Sequence, residues 1–338
     1  MGGDAGRWLA LGVGIEGDVA TIRLRRPQRA NALNEATITE LGEFFAEPPA
    51  GVRAAVLLAE GEHFCAGLDL AEHRSRSPFE SMEHSRRWHA TFDRLEHGRV
   101  PVVAALQGAV IGGGLELALA AHVRVAGPSA FYSLPEGRLG IFVGGGGAVR
   151  IGRLLGTDRM REMMLTGRRL TAAQGQRLGI SHEMVHTGEV GARAHDVARR
   201  IAANAPLTNQ LILAALPRVS DMSRGDGLWA EALTTALTQS TADAQEGLEA
   251  FRESAPRPSG APDSGPGAVR GGVTRHHVRR PVLGVLADRA GRALARRGHP
   301  AAQRVVVSDE LPAEGLERRQ LTPDLAQAGV DLFQCAVD

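Results

Sequence analysis

Residues 108–126 read GAVIGGGLELALAAHVRVA, and a single carboxylate, Glu116, stands among small and apolar residues. A buried carboxylate is costly unless charge or hydrogen bonds compensate it. Either Glu116 faces water, or it is buried for a chemical purpose. The residues before it, VPVVAAL (100–106), form a short apolar run of strand type. A glycine turn follows, then a helix over 114–121, and HVRVAG (122–127) reads as the next strand.

The same grammar holds further out. DVATIRLR (18–25) alternates apolar and polar like a strand, and VRAAVLLAE (52–60) is a buried strand. Between them an amphipathic helix begins near Asn34, with Ile38, Leu41, Phe44 and Phe45 on one side. A second glycine turn, CAGLDL (65–70), is expected to lead into another helix. Strands alternating with helices predict an α/β architecture. Beyond Gly140 the pattern becomes mainly helical, with a helix opening at Thr171 and a break at Pro206. The organisation read from this is a core over 1–200 and a C-terminal helical region over 201–258. A Pro/Gly/Arg-rich linker and tail, disordered or weakly packed, fills 259–338.

Composition narrows the function classes. Apolar residues make up 43% of 338, ordinary for a globular chain. The formal net charge is +1, so no global field points to nucleic acid or an anionic membrane. All 39 basic residues are Arg, so any phosphate must be met by Arg, His or backbone N–H groups. Cys65 and Cys335 are too far apart in sequence to suggest a disulfide framework or zinc cluster. The N-terminus lacks the pattern of a secretory signal. The uncharged run Val100–Leu115 is short for a membrane span and carries Pro101 and four glycines. A cytoplasmic protein is expected, without metal, nucleic-acid or membrane partners. His73, His84 and His89 lie in a polar segment expected to cover a pocket, and their spacing fits no ligand set well.

Chemistry gathers at the two glycine turns. Backbone N–H groups left free there could hold a developing oxyanion between them, although close packing explains either turn alone. Glu136, in LPEGRLGIFVGGGG, is a second carboxylate in glycine-rich surroundings. Two carboxylates can divide acid and base work if their environments separate their pKa values; the plainer alternative is a solvated loop Glu. GGGG at 144–147 lacks the Gly-Lys-Ser/Thr of a nucleotide loop and reads as a tight turn. Cys65 reads as a small packing residue.

RPQRANALN, HFCAGLDL, PVVAALQGAVIGGGLELALAAHVRVA and LPEGRLGIFVGGGGAVRIGRLLG stand in this order. On these motifs the chain from about residue 8 to 258 resembles the enoyl-CoA hydratase/isomerase (crotonase) superfamily. The resemblance implies a crotonase-like ββα spiral core, a homotrimer or dimer of trimers, and an acyl-CoA thioester substrate. It implies no separate cofactor, coenzyme A entering with the substrate. It places the two oxyanion N–H groups at Ala66 and Gly113. It places substrate contacts at Ala66, Gly67, Leu68, Asp69 and Gly113, with Arg29 in place of a CoA-binding Lys. Glu116 and Glu136 fall on the two catalytic carboxylates of the hydratases, which add water across the 2,3 double bond of an enoyl-CoA. The alternatives are an isomerase, hydrolase or C–C lyase of the same superfamily, or a CoA- or RNA-binding protein that has lost the reaction. Where many hydratases carry a Pro-Gly pair after the second Glu, this chain has Phe142-Val143-Gly144.

Overall fold

The computed structural model describes residues 8–72 and 75–254. The expectations for His73 and for 259–338 lie outside them. In chain order the elements are β1 (Leu11–Glu16), β2 (Val19–Leu24), α1 (Glu35–Ala46), β3 (Ala54–Ala59), α2 (Pro78–Glu96), β4 (Val102–Leu106) and β5 (Ala109–Ile111). Then come α3 (Gly113–Ala120), β6 (Val123–Ala126), β7 (Phe131–Ser133), α4 (Glu136–Leu139), α5 (Gly147–Leu155) and α6 (Thr157–Thr166). The rest are β8 (Arg169–Thr171), α7 (Ala172–Arg177), β9 (Glu183–Met184), α8 (Val190–Ala202), α9 (Pro206–Val219), α10 (Arg224–Gln239) and α11 (Ala242–Ser254). One compact unit takes in the described residues up to Gln245; the described end of α11 belongs to a second.

The larger sheet runs β1-β2-β3-β4-β6-β9, parallel except for the antiparallel β1–β2 pair. Its central strands are apolar throughout because both faces are covered. Ala55, Leu57, Val102, Ala104 and Leu106 face one core with α1, α2 and α3. Ala54, Val56, Leu58, Val103 and Ala105 face the other, where Ala194, Ala198 and Ala202 of α8 pack. The period-2 alternation along β3 and β4 thus divides one apolar run between two cores.

The smaller sheet, β5-β7-β8, positions the site. β5 and β7 pair in parallel with Val110 opposite Tyr132 and Ile111 opposite Ser133. That register sets the glycine turn after β5 beside the Leu134–Pro135–Glu136 segment after β7. Three-residue strands carry too little periodicity to be read from sequence, and neither β7 nor β8 was expected.

One expected helix is absent. Residues 65–72 form bridges and turns, not a helix opening after Gly67. Leu68 instead pairs in parallel with Leu33, where the Leu33 N–H donates to Gly67 O at 2.7 Å and the Asp69 N–H to Leu33 O at 2.9 Å. The helix begins only at Pro78, capped by a reciprocal Ser77–Glu80 box. The polar segment expected to cover a pocket is therefore largely α2.

Candidate active site

Glu116 lies in the first turn of α3 and is 2% exposed. Its Oε1 accepts hydrogen bonds from the Gly145 N–H at 2.8 Å and the Gly147 N–H at 2.7 Å. The glycines are required by space: a Cβ on Gly147 would stand 2.7 Å from that same oxygen. Burial pushes the Glu116 pKa up, and the amides of Gly147 and Gly145 pull it back toward the ionised form. The charge of the opening stretch is buried and held by a loop twenty-nine and more residues away. The turn expected at GGGG is present, with Gly146 at φ 92° and α5 starting at Gly147.

Arg150 holds this loop from behind. It donates to Gly145 O at 2.8 Å and pairs with Asp93 at 2.6 Å and with Glu96. Asp93, Glu96 and His97 bring three donor atoms within 4.8 Å of one another, but the Arg150 guanidinium already engages both carboxylates.

Glu136 opens α4 directly after β7 and is 4% exposed. Its Oε2 is buried and has no hydrogen-bond partner among the described residues. Burial pushes its pKa up to about 7, and the nearby Glu116 charge pushes in the same direction. Glu116 and Glu136 both line one cavity of about 510 Å³. The structure therefore brings together the two carboxylates named from the sequence.

The turn residues need correction. Gly67, with φ +97°, fits only because it has no side chain: a Cβ there would meet Ile111 O at 2.8 Å. Gly113, at the start of α3, leaves its N–H without an intrahelical partner. The N–H expected to work with it was that of Ala66, but Ala66 N–H donates to Ala30 O at 3.0 Å and is already spent. The N–H of Leu68 is the one near Gly113, 3.6 Å from the position of a Cβ built there. In the Leu33–Leu68 bridge the bonds use Gly67 O and Asp69 N–H, so Leu68 N–H makes no hydrogen bond among the described residues. Ala66 and Gly67 line the cavity as wall residues.

Asp69 also departs from expectation. It does not line the cavity. Its carboxylate pairs with Arg26 at 2.7 Å and accepts from the Ala71 N–H at 3.0 Å. Burial alone would raise its pKa, but the Arg26 bond overrides this and holds it below the usual value. Asp69 is thus a structural clamp on the turn. Arg29 stands exposed at the end of a short 3-10 turn and is not in the cavity wall. Cys65, fully buried, receives the Gly67 N–H on Sγ at 3.4 Å, and burial pushes its thiol up to about 12. His84 lines the cavity and bonds to Glu35, whereas His89 is exposed beside Ser85.

Comparison with known proteins agrees with this geometry. The model of the family described as "Enoyl-CoA hydratase/isomerase" matches residues 14–258. The chain belongs to that family. It is 32% identical over 243 residues to the short-chain-enoyl-CoA hydratase of Clostridium acetobutylicum, covering 70% of this chain and 92% of the relative. Its fold superposes with TM-score 0.70 on a protein of Rhodopseudomonas palustris CGA009 provisionally described as an enoyl-CoA hydratase, at 48% identity. That match covers 72% of this chain and 95% of the other. The enoyl-CoA hydratase of Bacillus anthracis gives TM-score 0.68 at 32% identity, over 72% of this chain and 96% of that one. These neighbours give the core its crotonase fold, and the described helices α9 to α11 follow it as the helical C-terminal region. No helix among the described residues is long and apolar enough to cross a membrane.

Proposed function

We propose that this protein is an enoyl-CoA hydratase, adding water across the 2,3 double bond of an enoyl-CoA thioester to give the 3-hydroxyacyl-CoA. The observation that carries the reading is the pair of buried carboxylates on separate elements facing one cavity, beside the free N–H groups of Leu68 and Gly113. The thioester oxygen takes those two N–H groups, which stabilise the enolate-like charge as it develops. Glu116, its Oε1 tied to the Gly145 and Gly147 amides, uses its other oxygen to take a proton from water. The hydroxyl bonds to C3. Glu136, its pKa pushed up to about 7 by burial, gives its proton to C2. One water is consumed, and the proton gained by Glu116 restores Glu136 before the next turnover.

Coenzyme A enters as part of the substrate, and the reading needs no further cofactor. It includes a cytoplasmic location and a homotrimer or dimer of trimers. Ile212 and Leu216 of α9 and Leu228 and Trp229 of α10 are exposed apolar residues suited to subunit packing. The test is incubation of purified protein with a panel of 2-enoyl-CoA thioesters. Loss of enone absorbance with a mass gain of one water supports hydration. Migration of the double bond, or release of free CoA, would replace it with another reaction of the superfamily.

A further inference from the structure

The cavity that the two carboxylates line is not a simple alkyl pocket. Leu139, Ile141 and Phe142 supply apolar surface, but Arg76, Ser81 and His84 also face the space. Arg76 carries its charge on a side chain only 12% exposed. A guanidinium has five N–H donors. Among the described residues Arg76 makes one hydrogen bond, a long one of 3.4 Å from Nη2 to Glu35 Oε1. Glu35 does not neutralise it alone. The same oxygen receives His84 Nε2 at 3.0 Å and stands 3.7 Å from Arg87, and the Glu35 side chain is 45% exposed. The neighbouring acids are engaged: Asp69 by Arg26, and Glu72 by Asn34 Nδ2 and the Glu35 N–H. Glu35, Asp69 and Glu72 balance Arg26, Arg76 and Arg87 in charge, but Arg76, a residue of the cavity wall, is left with a single long hydrogen bond.

We propose that Arg76 recognises a carboxylate at the far end of the acyl chain, so that the preferred substrate class is an ω-carboxylated enoyl thioester. A fork of parallel N–H donors matches a carboxylate in two-point contact, and a charge-assisted pair of this kind in a partly enclosed pocket discriminates strongly. His84 shares Glu35 with Arg76 and helps to fix the guanidinium's direction. The proposal rests on the hydratase reading for its assay, not for its binding geometry.

The experiment compares two 2-enoyl-CoA substrates of equal length, one ending in methyl and one in carboxylate, with wild type and Arg76→Met. The wild type should favour the carboxylate in kcat/KM by about tenfold to a hundredfold. In Arg76→Met that ratio should collapse toward one, and Arg76→Lys should keep part of it. Pantetheine thioesters, which lack the nucleotide phosphates, should show the same preference. A wild-type ratio of one or less overturns the proposal. So does an equal loss on both CoA substrates that disappears with pantetheine thioesters, because Arg76 would then meet a CoA phosphate. So does an equal loss on all four, which would give Arg76 a structural role. If no enoyl thioester is hydrated, the functional reading fails instead. Calorimetric binding of the saturated acyl-CoA pair, with and without the terminal carboxylate, then decides the Arg76 question by the same ratio.

Discussion

Glu116 and Glu136 line one cavity, yet they are held in opposite ways. Glu116 sits on a helix packed inside the core, and its Oε1 is fastened by two amides of the Gly144–Gly147 loop. Glu136 stands at the start of a four-residue helix, with Oε2 buried and unpartnered among the described residues. Burial raises both pKa values, but only at Glu116 do backbone donors from another element counter it. A carboxylate fastened by donors is suited to take a proton from water, and one with an unpartnered oxygen and a pKa pushed up to about 7 is suited to give one. Two identical side chains gain different chemistry from the backbone around them.

Neutralising either side of that contrast should have the largest effect. Glu116→Gln and Glu136→Gln should each lower kcat by about a hundredfold to ten-thousandfold, with substrate binding nearly intact. In Glu116→Gln the new amide oxygen can still accept from Gly145 and Gly147, so the loop should keep its place. The double variant should be little worse than the weaker single one, because both groups act on one transition state. Steady-state kinetics with calorimetric binding of a saturated acyl-CoA checks this. Near-wild-type turnover by Glu116→Gln would make Glu136 the lone acid–base group and favour double-bond isomerisation.

Next in size is the oxyanion pair. Replacing residue 68 by its α-hydroxy acid analogue turns the Leu68 amide into an ester and removes one N–H. This should cost about 10²- to 10³-fold in kcat. The same replacement at Ala66 removes the donor to Ala30 O, and should lower Tm with a much smaller effect on kcat. The reverse pattern would restore the assignment made from sequence.

That reassignment marks where sequence reading ends. Glu116, Glu136, the two glycine turns and the alternation of strands with helices were legible because they depend on local patterns: an apolar run, a glycine turn, a carboxylate out of place. The choice between Ala66 and Leu68 depends on which N–H groups the 30–33 segment consumes, and that pairing joins residues far apart in the chain. Asp69 looks like a pocket residue until Arg26 is found against it. The amides of Gly145 and Gly147 were read as a turn and not as ligands of Glu116, since nothing local says what a free N–H faces. The β5–β7 register that sets Glu136 beside the turn is carried by strands of three residues. Long-range pairing, not local propensity, decided each of these.

A smaller effect follows from the pKa of Glu136. In the folded chain it is raised to about 7 from 4.5, so the native state binds more protons than the unfolded state between those values. The contribution to stability is complete below about pH 4.5 and is lost as pH rises through about 7. Glu136→Gln, which needs no proton, should therefore have a higher Tm than wild type at about pH 8, with the gap closing toward about pH 5. Activity should respond to the same group, with kcat falling above about pH 7 as Glu136 loses its proton. Parallel melting curves and a pH–rate profile check both; a Tm difference independent of pH would mean that Glu136 is not raised.

The smallest effect is expected at Cys65, a buried ionisable group beside the site, and it tests whether burial alone confers function. Cys65 is as enclosed as Glu116, but its thiol does not line the cavity. Its Sγ receives the Gly67 N–H, and Gly114 packs so closely that a Cβ there would lie 2.9 Å from the sulfur. With the thiol pushed up to about 12 by burial, it stays protonated at about pH 8. Among the described residues no cation lowers that value, unlike the settings that activate cysteines. In a Cys335→Ser background, which leaves one thiol in the chain, iodoacetamide at about pH 8 should not label the folded protein. Cys65→Ala should keep kcat within about threefold and cost about 1 kcal/mol of stability from the lost sulfur packing. Rapid labelling of the native protein with loss of turnover would show a reactive thiol, and the difference between the carboxylates and this group would no longer rest on what each one faces.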